Sequence, residues 1–138
     1  MKFTNGGAYN MMLSLNNMIQ KFESKDVSSV ILFGIMRNIR ILSTELKEFE
    51  EIRQKLMQKY EIDEKHKNDE DLNDRIQKFE SELSPITEEE IEVDIHHISY
   101  EFDKVQTVLE KIDIPISLQD IVFLQLICKQ PEPSTKDE

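Results

Sequence analysis

Apolar residues recur at helical spacing along most of this chain, and the longest such run organises the rest. From Ser28 to Tyr60, the residues Ile35, Ile39, Leu42, Leu46, Phe49, Leu56 and Tyr60 fall at alternating steps of four and three, with Arg53 alone breaking the seam. Gly34 is the only helix-breaking residue there, so the spacing predicts one continuous helix of roughly 50 Å, along which other elements must pack. Its first half, Val30 to Met36, is apolar on all sides and is expected to be covered on several of them. Its second half narrows to a seam between charged residues, the pattern of a helix with a single helical neighbour.

The chain supplies that neighbour. After a polar connection from Glu61 to Glu70, Leu72, Ile76, Phe79 and Leu83 repeat the four-three-four spacing, which predicts an antiparallel helical hairpin whose second arm ends at Pro85. Upstream, Met1 to Thr4 is a candidate edge strand, Asn5-Gly6-Gly7 a turn, and Thr4 or Asn5 a helix cap. Ala8 to Phe22 then reads as an amphipathic helix, with Ala8, Met11, Met12, Leu15, Met18, Ile19 and Phe22 facing a core. Downstream, Glu90 to Ile95 alternates strictly and predicts a half-buried strand, for which Met1 to Thr4 is the nearest partner. Phe102, Val105, Val108, Leu109 and Ile112 mark a short helix ended by Pro115. Ser117-Leu118-Gln119-Asp120 has the form of a capped start to a last apolar helix.

The fold class expected is therefore mainly α: a long central helix with a helical hairpin, flanking N- and C-terminal helices, and a minor two-stranded β element. Residues 1–130 form one helical domain in this reading, with the N- and C-terminal helices on the first half of the long helix, and 131–138 a disordered tail with nothing to bury.

Charge narrows the function. With 17 basic and 28 acidic residues the net charge is -11, which argues against direct nucleic-acid binding through phosphates. A negative surface instead suits a basic groove, including one that normally holds nucleic acid. Lone Cys128 precludes an intrachain disulfide, no signal-peptide pattern opens the sequence, and no apolar run approaches the ~20 residues of a membrane span. These features lead to the expectation of a cytoplasmic protein that does not cross a membrane.

Several segments resemble a family of small uncharacterised proteins from phages and prophages of Gram-positive bacteria. They are Lys2-Phe3-Thr4-Asn5-Gly6 with Asn10, Arg37-Asn38-Ile39 through Glu45-Leu46-Lys47-Glu48-Phe49-Glu50-Glu51-Ile52-Arg53, Tyr60, Phe79-x-x-Glu82-Leu83, Glu90-Ile91-Glu92-Val93 and the helix after Ser117. The stretch between Asp94 and Ile116 is longer than that family's pattern. The resemblance implies a phage-encoded protein in the host bacterial cytoplasm, with a bacterial or phage protein as its partner and no activity to carry over.

Chemistry-bearing constellations are few. Asp69 to Glu80 matches an EF-hand loop at positions one, three, five, eight and twelve, but Asp74 stands where the turn needs glycine, and Leu72, Ile76 and Phe79 fit a helix instead. His96 and His97 are adjacent on an extended segment and point to opposite faces, one expected to be buried and one exposed, so they do not share a metal. Cys128 reads as a small buried thiol. Gly6-Gly7 lacks the Lys-Ser or Lys-Thr of a phosphate loop, and no cofactor or metal is expected.

The function expected is thus non-catalytic, acting by protein–protein binding. The leading form is an acidic inhibitor that imitates nucleic acid before a defence nuclease of the CRISPR type. The candidate contacts are Glu48, Glu51, Glu61, Asp63, Glu64, Asp69, Glu70 and Asp71 on the hairpin. The alternative is a virion or tail-assembly component that self-associates through the hairpin as a homo-oligomer. A calcium module or an enzyme ranks third.

Overall fold

The computed structural model describes residues 1–131, so all but the first residue of the expected tail lies outside the described residues. The elements run β1 (Lys2–Thr4), α1 (Asn5–Phe22), α2 (Ser29–Glu45), α3 (Lys47–Lys59), α4 (Leu72–Thr87), β2 (Glu90–Glu92), α5 (Phe102–Lys111) and α6 (Leu118–Ile127), with a short 3-10 turn at Glu64–His66. The fold is mainly helical with a small antiparallel sheet, in which Lys2 faces Glu92, Phe3 faces Ile91 and Thr4 faces Glu90. The pairing is the one the alternation predicts. The second strand stops three residues short of Ile95, though Val93 N still donates to the Met1 carbonyl at 2.9 Å.

The expected long helix is interrupted, at Leu46. This residue leaves helical geometry with φ −94° and ψ 5°. Hydrogen bonds nevertheless run from Leu46 N to the Leu42 carbonyl and from Glu50 N to the Leu46 carbonyl, so α2 leads into α3 as a bent continuation. Thr44 supplies a local cause: its hydroxyl donates to the Arg40 carbonyl at 3.1 Å, a back-bond that bends helices.

Two further expectations give way to the structure, and a third holds in part. Gly6 and Gly7 lie inside the first turn of α1, which starts at Asn5 under a Thr4 cap whose hydroxyl accepts from Gly7 N. Pro85 and Ser84 lie inside α4, which continues to Thr87. A proline so near a helix end removes only the bond to the exposed Ser81 carbonyl, which water can satisfy. Finally, Phe33 and Met36 are 57% and 59% exposed, so the apolar half of the central helix, though covered by α1, α6 and the segment around His96, leaves one face open.

The core lies between α1, α2 and α6, where Met11, Leu15, Met18, Phe22, Ile31, Ile35, Leu42, Leu124 and Ile127 are fully buried. Helix α6 does rest on α2, as expected, but its larger contact is with α1. Its start is the predicted capping box, with Ser117 and Asp120 each accepting from the other's backbone N–H.

The segment after β2 is fastened across α2 by one buried side chain. The Asn38 amide donates to the His96 carbonyl at 2.8 Å and accepts from His96 N at 2.9 Å, as a neighbouring strand would. Gly34, one turn earlier, makes room for the crossing: a Cβ there would stand 1.7 Å from Ile98 Cγ2. His96 is half-buried, edge-on to Phe33, and His97 is exposed.

Candidate functional site

Helices α3 and α4 form the predicted hairpin. Phe49 and Ile52 lie beside Ile86 at its base, and Arg75 Nε donates to the Tyr60 carbonyl at 2.8 Å at its far end. Along it, Lys59 meets Glu82 at 2.7 Å, a contact that holds the Lys59 ammonium above its usual range.

The far end was expected to present carboxylates outward. The structure turns most of them to internal use. Asp63 accepts from the backbone N–H of His66 at 3.0 Å and lies 2.7 Å from His66 Nδ1. Glu61 stands 3.6 Å from the other ring nitrogen. The Asp63 hydrogen bond, helped by the nearby charges, raises the His66 pKa and lowers that of Asp63. Glu64 pairs with Lys67 at 2.7 Å, and Arg75 takes both Asp69, at 3.1 Å, and Asp71. Of the six candidates between Glu61 and Asp71, only Glu70 has no ion pair among the described residues.

The arrangement also replaces the calcium-loop pattern. Leu72 through Glu80 is regular helix, and Asp69 and Asp71, at positions one and three, are engaged by Arg75. Among the described residues no group of three or more His, Cys, Asp or Glu is placed to hold a metal ion, and no helix is long and apolar enough to cross a membrane. Cys128 closes α6, and burial pushes its thiol up to about 11, which leaves it a poor nucleophile.

The other two candidates, Glu48 and Glu51, are exposed on α3 without an ion pair among the described residues. Glu48 belongs to a second feature, at the base of the hairpin. There a groove of about 280 Å³ is floored by Phe49, Ile52, Ile86 and Ile91 and edged by Glu45, Glu48 and Glu89. Among the described residues no basic side chain lines it. Asn5 fixes its inner wall, because its amide donates to the Ile86 carbonyl at 2.8 Å and its backbone N–H to the Glu89 carbonyl at 2.9 Å. An apolar floor beneath three carboxylates suits a lysine or arginine side chain, whose alkyl stem and cationic head need those two surfaces together.

Glu45 and Glu89 were not among the residues singled out from sequence. The Glu88-Glu89-Glu90 run was visible, but only the fold brings it to the bend between α2 and α3. A larger hollow of about 470 Å³ lies across α3, between Met12 and Lys55, with lysines and glutamates both on its walls. Within it Glu50 accepts from Arg53 and Gln54 through one oxygen while the other is buried without a partner. The chain matches no protein-family model, and no curated protein or solved structure matches it.

Proposed function

We propose that this protein acts by binding a basic segment of another protein, without catalysis, and that the groove at the base of the hairpin is the contact. The observation that carries this reading is the grouping of Glu45, Glu48 and Glu89, unpaired among the described residues, around an apolar floor. The net charge of -11 favours rapid encounter with a positive surface. In the setting implied by the phage-family resemblance, the partner is a bacterial nucleic-acid-binding factor such as a CRISPR effector nuclease. The protein would then inhibit by filling a basic channel in place of nucleic acid.

The test is competition. Binding to such a nuclease should be displaced by its nucleic acid, and the triple change Glu45→Gln, Glu48→Gln, Glu89→Gln should weaken it by roughly tenfold or more. Binding that nucleic acid leaves untouched, or that the triple variant retains, removes the proposal. A second reading, a self-associating virion or tail component, is favoured by the exposure of Phe33 and Met36. Abundance of the protein in purified particles would promote it over the first.

A further inference from the structure

The outer side of α2 and α3 carries a charge pattern that inverts about its own centre. Arg37, Arg40, Thr44, Glu48 and Glu51 follow at steps of three, four, four and three, which keeps them on one side of a helix, and all five are exposed. The bend at Leu46 leaves the stripe continuous, because backbone hydrogen bonds span it in both directions. Counting from Thr44, the residues four and seven positions earlier are arginines, and those four and seven positions later are glutamates. None of the four has an ion pair among the described residues. Met36 and Ile52, eight positions to either side, are 59% and 37% exposed.

We propose that a second copy of this chain docks on the stripe, antiparallel, with the two-fold axis at Thr44. In an antiparallel pair of identical helices, a residue before the axis faces the residue equally far beyond it on the mate. Arg40 therefore lies level with Glu48 of the mate and Arg37 with Glu51, each contact occurring twice, while Met36 and Ile52 flank the stripe at its edges. A parallel pairing would set like charges together. The occupant is a second copy because both halves of the complement lie on one face in inverted order, a match that a uniformly basic partner lacks. The four charges sum to zero, so on an otherwise acidic molecule this is a face where two copies meet with little repulsion. The interface does not rest on the basic-partner reading. It shares Glu48 and Ile52 with the groove, so the second copy and a basic partner exclude one another there.

Sedimentation equilibrium of the full chain tests this: the mass should climb from 16.3 kDa toward twice that value as concentration rises. Arg37→Glu with Arg40→Glu, or Glu48→Arg with Glu51→Arg, should each weaken dimerisation by at least roughly tenfold. An equimolar mixture of the two double variants, one stripe all acidic and the other all basic, should regain the doubled mass. Because Cys128 is buried, Thr44→Cys provides a single exposed thiol at the axis. It should cross-link between copies under a mild oxidant, whereas Asn10→Cys, also exposed, should not. This cross-link decides the matter even if a charge variant fails to fold. A mass fixed at 16.3 kDa at every concentration overturns the proposal, as does a dimer that Thr44→Cys links no better than Asn10→Cys. Glu45→Gln with Glu89→Gln should leave the dimer intact while weakening capture of an oligolysine peptide, which separates failure here from failure of the groove.

Discussion

The two halves of the central helix share one spacing of apolar residues and end in opposite physical regimes. Around α2 the positions Ile31, Ile35 and Leu42 are fully buried between α1 and neighbouring segments, and Asn38, itself fully buried, spends its whole amide on the backbone of Gly34 and His96. Along α3 and α4 only Phe49 and Leu83 reach comparable burial, while Leu56, Ile76 and Phe79 remain half-exposed. The hairpin's far end is closed by polar contacts, with Arg75 reaching the Tyr60 and Glu61 carbonyls as well as Asp69 and Asp71. A periodic seam thus specifies that a helix has a neighbour, and the number of neighbours decides whether the seam becomes dry core or wet contact.

This contrast can be broken most directly in the core. Ile35→Ala should lower the unfolding free energy in urea by about 2–5 kcal/mol, whereas Leu56→Ala, already partly solvated, should cost less than half as much. Equal losses would erase the distinction between the two halves. Next in size, Asn38→Ala strands the His96 N–H and carbonyl in a buried crossing and should cost about 1–3 kcal/mol. Gly34→Ala should be of similar size, about 1–3 kcal/mol, because Ile98 must move aside.

Smaller and more local effects belong to the hairpin. Arg75→Ala should speed amide exchange between Glu61 and Leu72 while leaving the thermal midpoint nearly unchanged. A drop in midpoint matching that of Ile35→Ala would show the far end to be part of the core's cooperative unit. The smallest effect is electrostatic. His66 should titrate above its ordinary value in an NMR pH series, and Asp63→Asn should return it toward that value. Since the folded pKa of His66 is raised, its contribution is complete below the ordinary histidine value and fades as pH rises through the raised one. That of Asp63, whose pKa is lowered, fades as pH falls through the lowered value. The contact is therefore strongest between those two limits, and amide exchange at the 3-10 turn should be slowest there.

Much of this architecture was legible in the letters. The β1–β2 pairing followed from the alternation at Glu90 to Ile95, the α6 capping box from Ser117 and Asp120, and the hairpin from matched spacings on both sides of an acidic connection. What escaped reading depends on distant partners. Nothing near Leu46 breaks a helix, and the Thr44 back-bond is a choice of side-chain rotamer rather than of residue type. Gly34 looked like a tolerated weakness until Ile98 crossed it. The acidic connection looked like an open surface because Lys67, His66 and Arg75 sit close in sequence without revealing which carboxylates they take. The groove joins residues more than forty positions apart, which no local pattern displays.

The Asn38 amide has one further consequence. Backbone N–H and carbonyl groups left unpaired beside a sheet are a template on which another chain can add, and the segment after β2 would leave those of His96 so but for Asn38. By plugging it at His96 with a side chain, the fold obtains the protection of an added strand without building one. Loss of that plug should therefore show itself in the test tube as clouding on warming, before any change in the helices themselves.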